Sequence, residues 1–141
     1  MSVGSFSSVV TKRRGVTLFC FLVLFALFIR NLINHQAYLI QISPSGRYIM
    51  ENVGVGRWWY WNDIAYLRVI DRQHPEKVYR TPLYEMDSFD MRAFEDEKEV
   101  GIVWIYFDLV NKAFTVHMPQ WKPHWLNYFI SNTPYEAGGN D

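Results

Sequence analysis

Apolar positions fall into two regimes along this chain. Between Gly15 and Ile29 they run without a break, GVTLFCFLVLFALFI, with no charge over 15 residues. Beyond Tyr38 they come in short bursts parted by Gly, Pro and charged positions. The first regime is the signature of a membrane span and the second that of short strands.

A span needs about 20 apolar residues. Arg30 ends the uncharged run, but Leu32 and Ile33 follow it, and Gly15–Ile33 counts 19 residues. That is about 28 Å of helix at 1.5 Å per residue. Arg30 can reach the headgroups from the helix end. A cleaved signal peptide would share the basic lead and the apolar core, but no small-x-small cleavage site follows. After Phe28 come Ile, Arg, Asn, Leu, Ile, Asn and His. The segment therefore reads as an uncleaved anchor over 15–33, preceded by a basic stub over 1–14 whose first eleven residues look unstructured. Lys12, Arg13 and Arg14 before the span, with Arg30 alone just after it, direct the N-terminus to the cytoplasm. In a bacterium this is a single-pass inner-membrane protein with a periplasmic domain.

The bursts predict an antiparallel meander or small sandwich of six or seven strands over 34–135, with a disordered tail over 136–141. Tyr38–Ile42 and Arg47–Val53 form a hairpin around Ser43-Pro44-Ser45-Gly46, whose Pro and Gly suit the second and fourth positions of a type I turn. Ile64–Asp71 is a strand whose Ala65, Leu67 and Val69 face the core. Lys77–Arg80 is short and ends at Pro82. A further strand fits around 88–94. Val100–Phe107 (VGIVWIYF) is expected to be one central strand, being apolar on both faces. Ala113–Met118 pairs back on it. Pro123–Ile130 suits a short helix with Pro in its first turn and Trp125, Tyr128 and Phe129 on one side.

Composition sharpens this picture in three ways. Net charge is zero, yet residues 1–50 hold five basic residues and no acid, while residues 51–141 hold nine basic residues and all 14 acids. An acidic body argues against nucleic acid as partner. Cys20 is the single cysteine, so no disulfide can form within the chain. Aromatic residues make up 18% of the chain, enough for a dense core without one.

Candidate chemistry is sparse. The histidines His35, His74, His117 and His124 stand in no metalloprotease, thiol-redox, nucleophile-elbow or phosphate-loop pattern. Gly54-Val55-Gly56 is too short for a nucleotide fingerprint. His117 and His124 with Asp108 read better as unrelated residues than as metal ligands. The expectation is no enzyme, no cofactor and no metal. Two segments suit a protein partner. Trp58, Trp59, Tyr60 and Trp61 cannot all face one core, because alternate side chains of a strand point to opposite faces. They fit an aromatic cover over the open end of the core, a binding hot spot or a membrane-interface belt. The stretch 85–99 is acidic. Its Glu85, Asp87, Asp90, Glu95, Asp96 and Glu97 could steer a basic partner, or could solvate a loop. The oligomeric state stays open.

The run Ile42-Ser43-Pro44-Ser45-Gly46-Arg47-Tyr48, close after a single anchor, resembles small enterobacterial envelope proteins of unknown function. In these an anchor leads into a Ser-Pro-Asp/Ser-Gly-Arg-Tyr hairpin. A strand like Tyr66-Leu67-Arg68-Val69-Ile70-Asp71 follows, then a stretch like Tyr79-Arg80-Thr81-Pro82-Leu83-Tyr84. The likeness covers residues 18–84. Several of these proteins look like immunity proteins that protect a bacterium from contact-delivered toxins. The resemblance implies a membrane-anchored periplasmic binder that neutralises a toxin by occlusion. The alternatives are an accessory subunit of an inner-membrane or secretion complex and, last, a periplasmic enzyme. No functional residue carries over.

Overall fold

The structure is a computed structural model that describes residues 5–55, 63–86 and 91–138. It divides into two compact units, Met1–Asn34 and His35–Asp141.

The first unit is helix α1, Ser5–Ile33. Its Val10–Ile33 stretch of 24 residues is long and apolar enough to cross a membrane. The helix extends past the basic triplet to Ser5, so residues 5–11, expected to be unstructured, are helical. Backbone continuity therefore does not limit the span; the charges at Lys12–Arg14 and Arg30 do. Asn34 closes the helix, donating both its backbone N–H (3.1 Å) and its side-chain amide (2.9 Å) to the carbonyl of Arg30.

The second unit packs two sheets face to face. The first holds β1 Leu39–Ile42, β2 Tyr48–Gly54, β3 Ile64–Asp71 and β4 His74–Arg80 in that order, with β5 Tyr84–Glu85 also pairing β3. The second is ordered β10-β9-β8-β7-β6, from β6 Phe94–Glu95, β7 Glu99–Ile102, β8 Ile105–Asp108, β9 Ala113–Val116 and β10 Tyr135–Ala137. The chain is mainly β, as the bursts of apolar residues predicted. The strands of the first sheet pair antiparallel throughout.

The first hairpin turns as its residues require. Gly46 donates its N–H to the Ser43 carbonyl at 2.8 Å and holds φ +75°, where a Cβ is disfavoured. Inside the sandwich, Tyr48, Met50, Ala65, Leu67, Val69 and Tyr84 meet Val100, Ile102, Ile105, Phe107, Phe114, Val116 and Met118. Ala65, Leu67 and Val69 are buried as expected, but Tyr66 on the opposite face is also fully buried.

Three expectations for this second unit need correction. Val100–Phe107 is not one strand. Val103 and Trp104 make a two-residue turn, with Ile102 paired to Ile105 and Trp104 at φ +73°. In a continuous strand Val100 and Ile102 would face away from Ile105 and Phe107. The turn reverses the alternation, so all four are fully buried. The apparent two-faced strand is thus two one-faced half-strands. Gly101 permits the close pairing, since a Cβ there would lie 2.1 Å from the Ile105 carbonyl oxygen. The second correction is at the tail. Glu136 and Ala137, expected to be disordered, pair with Thr115 and Val116, and this β10–β9 pair is parallel. The third concerns α2, which is a single turn, Asn127–Ile130, starting well after Pro123.

Candidate functional site: an aromatic surface on the C-terminal segment

Thr81-Pro82-Leu83 interrupt the ladder between β4 and β5. Pro cannot donate to a ladder, so neighbouring groups must be satisfied otherwise. Thr81 bonds back to Leu67 through its backbone N–H (3.0 Å), and its hydroxyl accepts the Leu67 N–H (2.9 Å). Leu83 is served from the C-terminal segment. The indole N–H of Trp121 donates to its carbonyl at 2.9 Å, and its N–H donates to Oδ1 of Asn127 at 2.8 Å. Farther along, the amide of Asn132 takes the place of a neighbouring strand at the edge of β4. It donates to the Val78 carbonyl and accepts the Arg80 N–H, each at 2.8 Å. Arg80 Nε donates to the Ile130 carbonyl at 2.7 Å. Residues 121–132 are thereby pinned to the sheet edge by side chains.

That anchoring buries Leu126, Asn127 and Ile130 and turns the remaining residues outward. Trp125 is 50% exposed, Tyr128 89% and Phe129 42%. Trp125 meets Phe129 edge-on, with ring centroids 6.3 Å apart, and His124 stacks on Trp125 at 5.9 Å. Nδ1 of His124 accepts the Leu126 N–H at 3.2 Å, which holds the imidazole at the start of the turn. Trp121 meets Tyr135 edge-on at 6.0 Å. Between the turn and β10 lies an open cleft of about 630 Å³, lined by Pro123, His124, Asn127, Tyr128 and residues 131–135. A smaller hollow of about 140 Å³ shares Pro123 and His124 with it and includes Glu85, Trp121 and Lys122. The result is a cluster of exposed aromatic residues beside polar ones, the composition that marks contact surfaces.

The described acids of the 85–99 stretch do not all lie on one element. Glu85 is in β5 beside the smaller hollow. Glu95 is in β6, in the other sheet, and binds the first hairpin. Its carboxylate accepts the Ser45 N–H at 2.8 Å and the Ser45 hydroxyl at 2.7 Å. Partial burial pushes its carboxyl pKa upward, but these hydrogen bonds prevail and hold it below the usual value. Asp96 closes the next turn, accepting the N–H groups of Lys98 and Glu99 at 2.7 Å each, which lowers its pKa. Glu95 and Asp96 therefore both hold turns. Glu97 is exposed. Asp87, Asp90 and the whole Trp58, Trp59, Tyr60, Trp61 cluster lie outside the described residues.

His117 and Asp108 do not join His124. The His117 ring packs against Tyr106 at 6.0 Å, while Asp108 accepts the N–H groups of Val110 and Asn111 at 2.7 and 2.8 Å. Among the described residues no group of three His, Cys, Asp or Glu side chains is placed to hold a metal ion. The aromatics Trp125, Tyr128 and Phe129 were legible as one side of a helix. Asn127 and Asn132, which fix that side outward, carried no pattern a sequence could flag.

No family model, no curated protein and no solved structure matches this chain.

Proposed function

We propose that this chain is a membrane-anchored protein-binding domain, most concretely an immunity protein that neutralises a toxin by occluding it at the periplasmic face of a bacterial inner membrane. The observation that carries the reading is the exposed array of Trp125, Tyr128 and Phe129, held by side-chain hydrogen bonds to a sheet edge. Trp and Tyr dominate binding hot spots because they bury large, stiff surfaces at little entropic cost. A binder that acts by occlusion needs such a surface and no reacting group of its own. Residues 12–14 and the α1 helix would hold this surface at the membrane that the toxin must reach or cross.

The test is capture with the full chain in detergent, from lysates of neighbouring competitor strains, followed by a toxicity assay of what is captured. A single effector that loses toxicity when mixed with the protein supports the reading. Trp125→Ala and Tyr128→Ala together should weaken its binding at least 30-fold, about 2 kcal/mol, with the fold intact by circular dichroism. Unchanged affinity in that folded variant removes this surface from the proposal. Cells lacking the gene that remain unharmed by every captured effector remove the immunity role.

A further inference from the structure

The two sheets have four lateral edges, and their treatment differs. The edge of β4 is filled by the amide of Asn132. β6 is only two residues long and carries Glu95, and β10 carries Glu136. Short strands and charges are the usual means of keeping an edge from pairing with another chain. β1 has neither. Its sequence is Leu-Ile-Gln-Ile, with no charge, Pro or Gly, and among the described residues its single strand neighbour is β2. Ile40 and Ile42 point to the outer face and are 55% and 54% exposed, although isoleucine is among the residues most often buried. Ile42 continues an aliphatic row across the sheet, in which it is opposite Ile49, Ile49 opposite Ile70, and Ile70 opposite Val78, whereas Ile40 is opposite Glu51.

We propose that β1 is a homodimer edge, pairing antiparallel with β1 of a second copy of this chain. The strand is self-complementary about Gln41. A two-fold axis through Gln41 and normal to the sheet sets Ile40 opposite Ile42 of the other copy, twice, and Gln41 opposite itself. Directly opposed residues in an antiparallel pair share one face, so the four isoleucines meet on the outer face. The two Gln41 amides meet on the inner face, where each can donate to the other. The contact is isologous and closes after two copies, so it consumes the edge without seeding a fibre. The α1 helix favours a second copy as the occupant. Copies carried by such a helix share one orientation and are confined to one membrane plane, which raises their effective concentration. Each copy's aliphatic row then gains one further residue, Ile40 of the second copy, before it meets Glu51.

Disulfide trapping of the full chain in membranes tests this. Cys20 is replaced by Ser, and single cysteines are introduced. Opposed residues in an antiparallel pair have Cα atoms about 4.5–5.5 Å apart, inside the range a disulfide spans. Gln41→Cys should give a covalent dimer under mild oxidation at least tenfold faster than Val110→Cys, a position that is 77% exposed on a distant turn. Ile40→Cys mixed with Ile42→Cys should cross-link faster than either variant alone, which reads the register without altering Gln41. Adding Ile40→Lys and Ile42→Lys to Gln41→Cys should abolish the advantage, and both sites are exposed enough to accept Lys without unfolding. Equal rates for Gln41→Cys and Val110→Cys would overturn the proposal. So would rapid cross-linking that survives the double Lys substitution.

Discussion

Single carboxylates hold much of this domain's loop structure. Asp71 is the best placed of them. Its side chain is 8% exposed, accepts Arg47 at 3.0 Å and also takes the Gln73 N–H at 2.9 Å. The hydrogen bond from Arg47 is the main reason its pKa is lowered. Asp96 and Asp108 are lowered by backbone N–H groups in their turns, and Glu95 by Ser45. A carboxyl whose folded pKa lies below its unfolded value binds fewer protons in the native state. Its stabilisation is complete above the unfolded value, near pH 4, and is lost as pH falls through the lower folded value. The domain should therefore hold its melting temperature from pH 7 to about 5 and lose it steeply below about 4. Asp71→Asn should cost about 1 kcal/mol at pH 7 and make the acid limb shallower. Melting curves across pH 2–7 check both, and an unchanged limb in the variant would assign the acid sensitivity elsewhere.

Elements depend on a few residues that join them. Among the described residues the β4 edge has no strand beyond it, yet Asn132 supplies one donor and one acceptor in the strand's place. Asn132→Ala should cost about 1 kcal/mol, because it removes two hydrogen bonds to β4 whose backbone groups water can then reach. It should also speed hydrogen exchange at the Arg80 N–H more than at the Leu67 N–H, which keeps its bond to Thr81. Equal acceleration at both would mean that the sheet opens as one unit. The β7–β8 hairpin is the opposite case, a turn made without turn residues. Trp104 holds φ +73°, a conformation normally left to Gly or Asn, because only this reversal brings Val100, Ile102, Ile105 and Phe107 together into the core.

At the scale of the molecule, an apolar helix long enough to cross a membrane is joined to a two-sheet domain. The full chain should stay with membranes through alkaline washing, while residues 35–141, a compact unit by themselves, should wash free. With the basic triplet on the cytoplasmic side, protease added to spheroplasts should digest the β domain and spare residues 1–14. Protection of the domain in intact spheroplasts would reverse the proposed topology. The two proposals assign separate surfaces, the aromatic one around Trp125 to a foreign protein and the β1 edge to a second copy.

The hydrophobic pattern by itself determined the α1 helix, the β class of the domain, the Ser43–Gly46 turn and the Ala65-Leu67-Val69 core face. These follow from local rules: chain length against bilayer thickness, alternation, and the φ preferences of Pro and Gly. Tertiary structure decided what local rules leave undetermined. It folded VGIVWIYF in two, since alternation cannot distinguish a two-faced strand from two half-strands of opposite parity. It ordered Glu136 and Ala137, because the partner in β9 lies about twenty residues away in sequence. It gave Glu95 and Asp96 to turns, because charge alone does not say which N–H groups a carboxylate will meet. It exposed Trp125, Tyr128 and Phe129, because Asn127 and Asn132 bind backbone groups some forty to fifty residues upstream. The elements came from near neighbours along the chain, and the candidate surface came from distant ones.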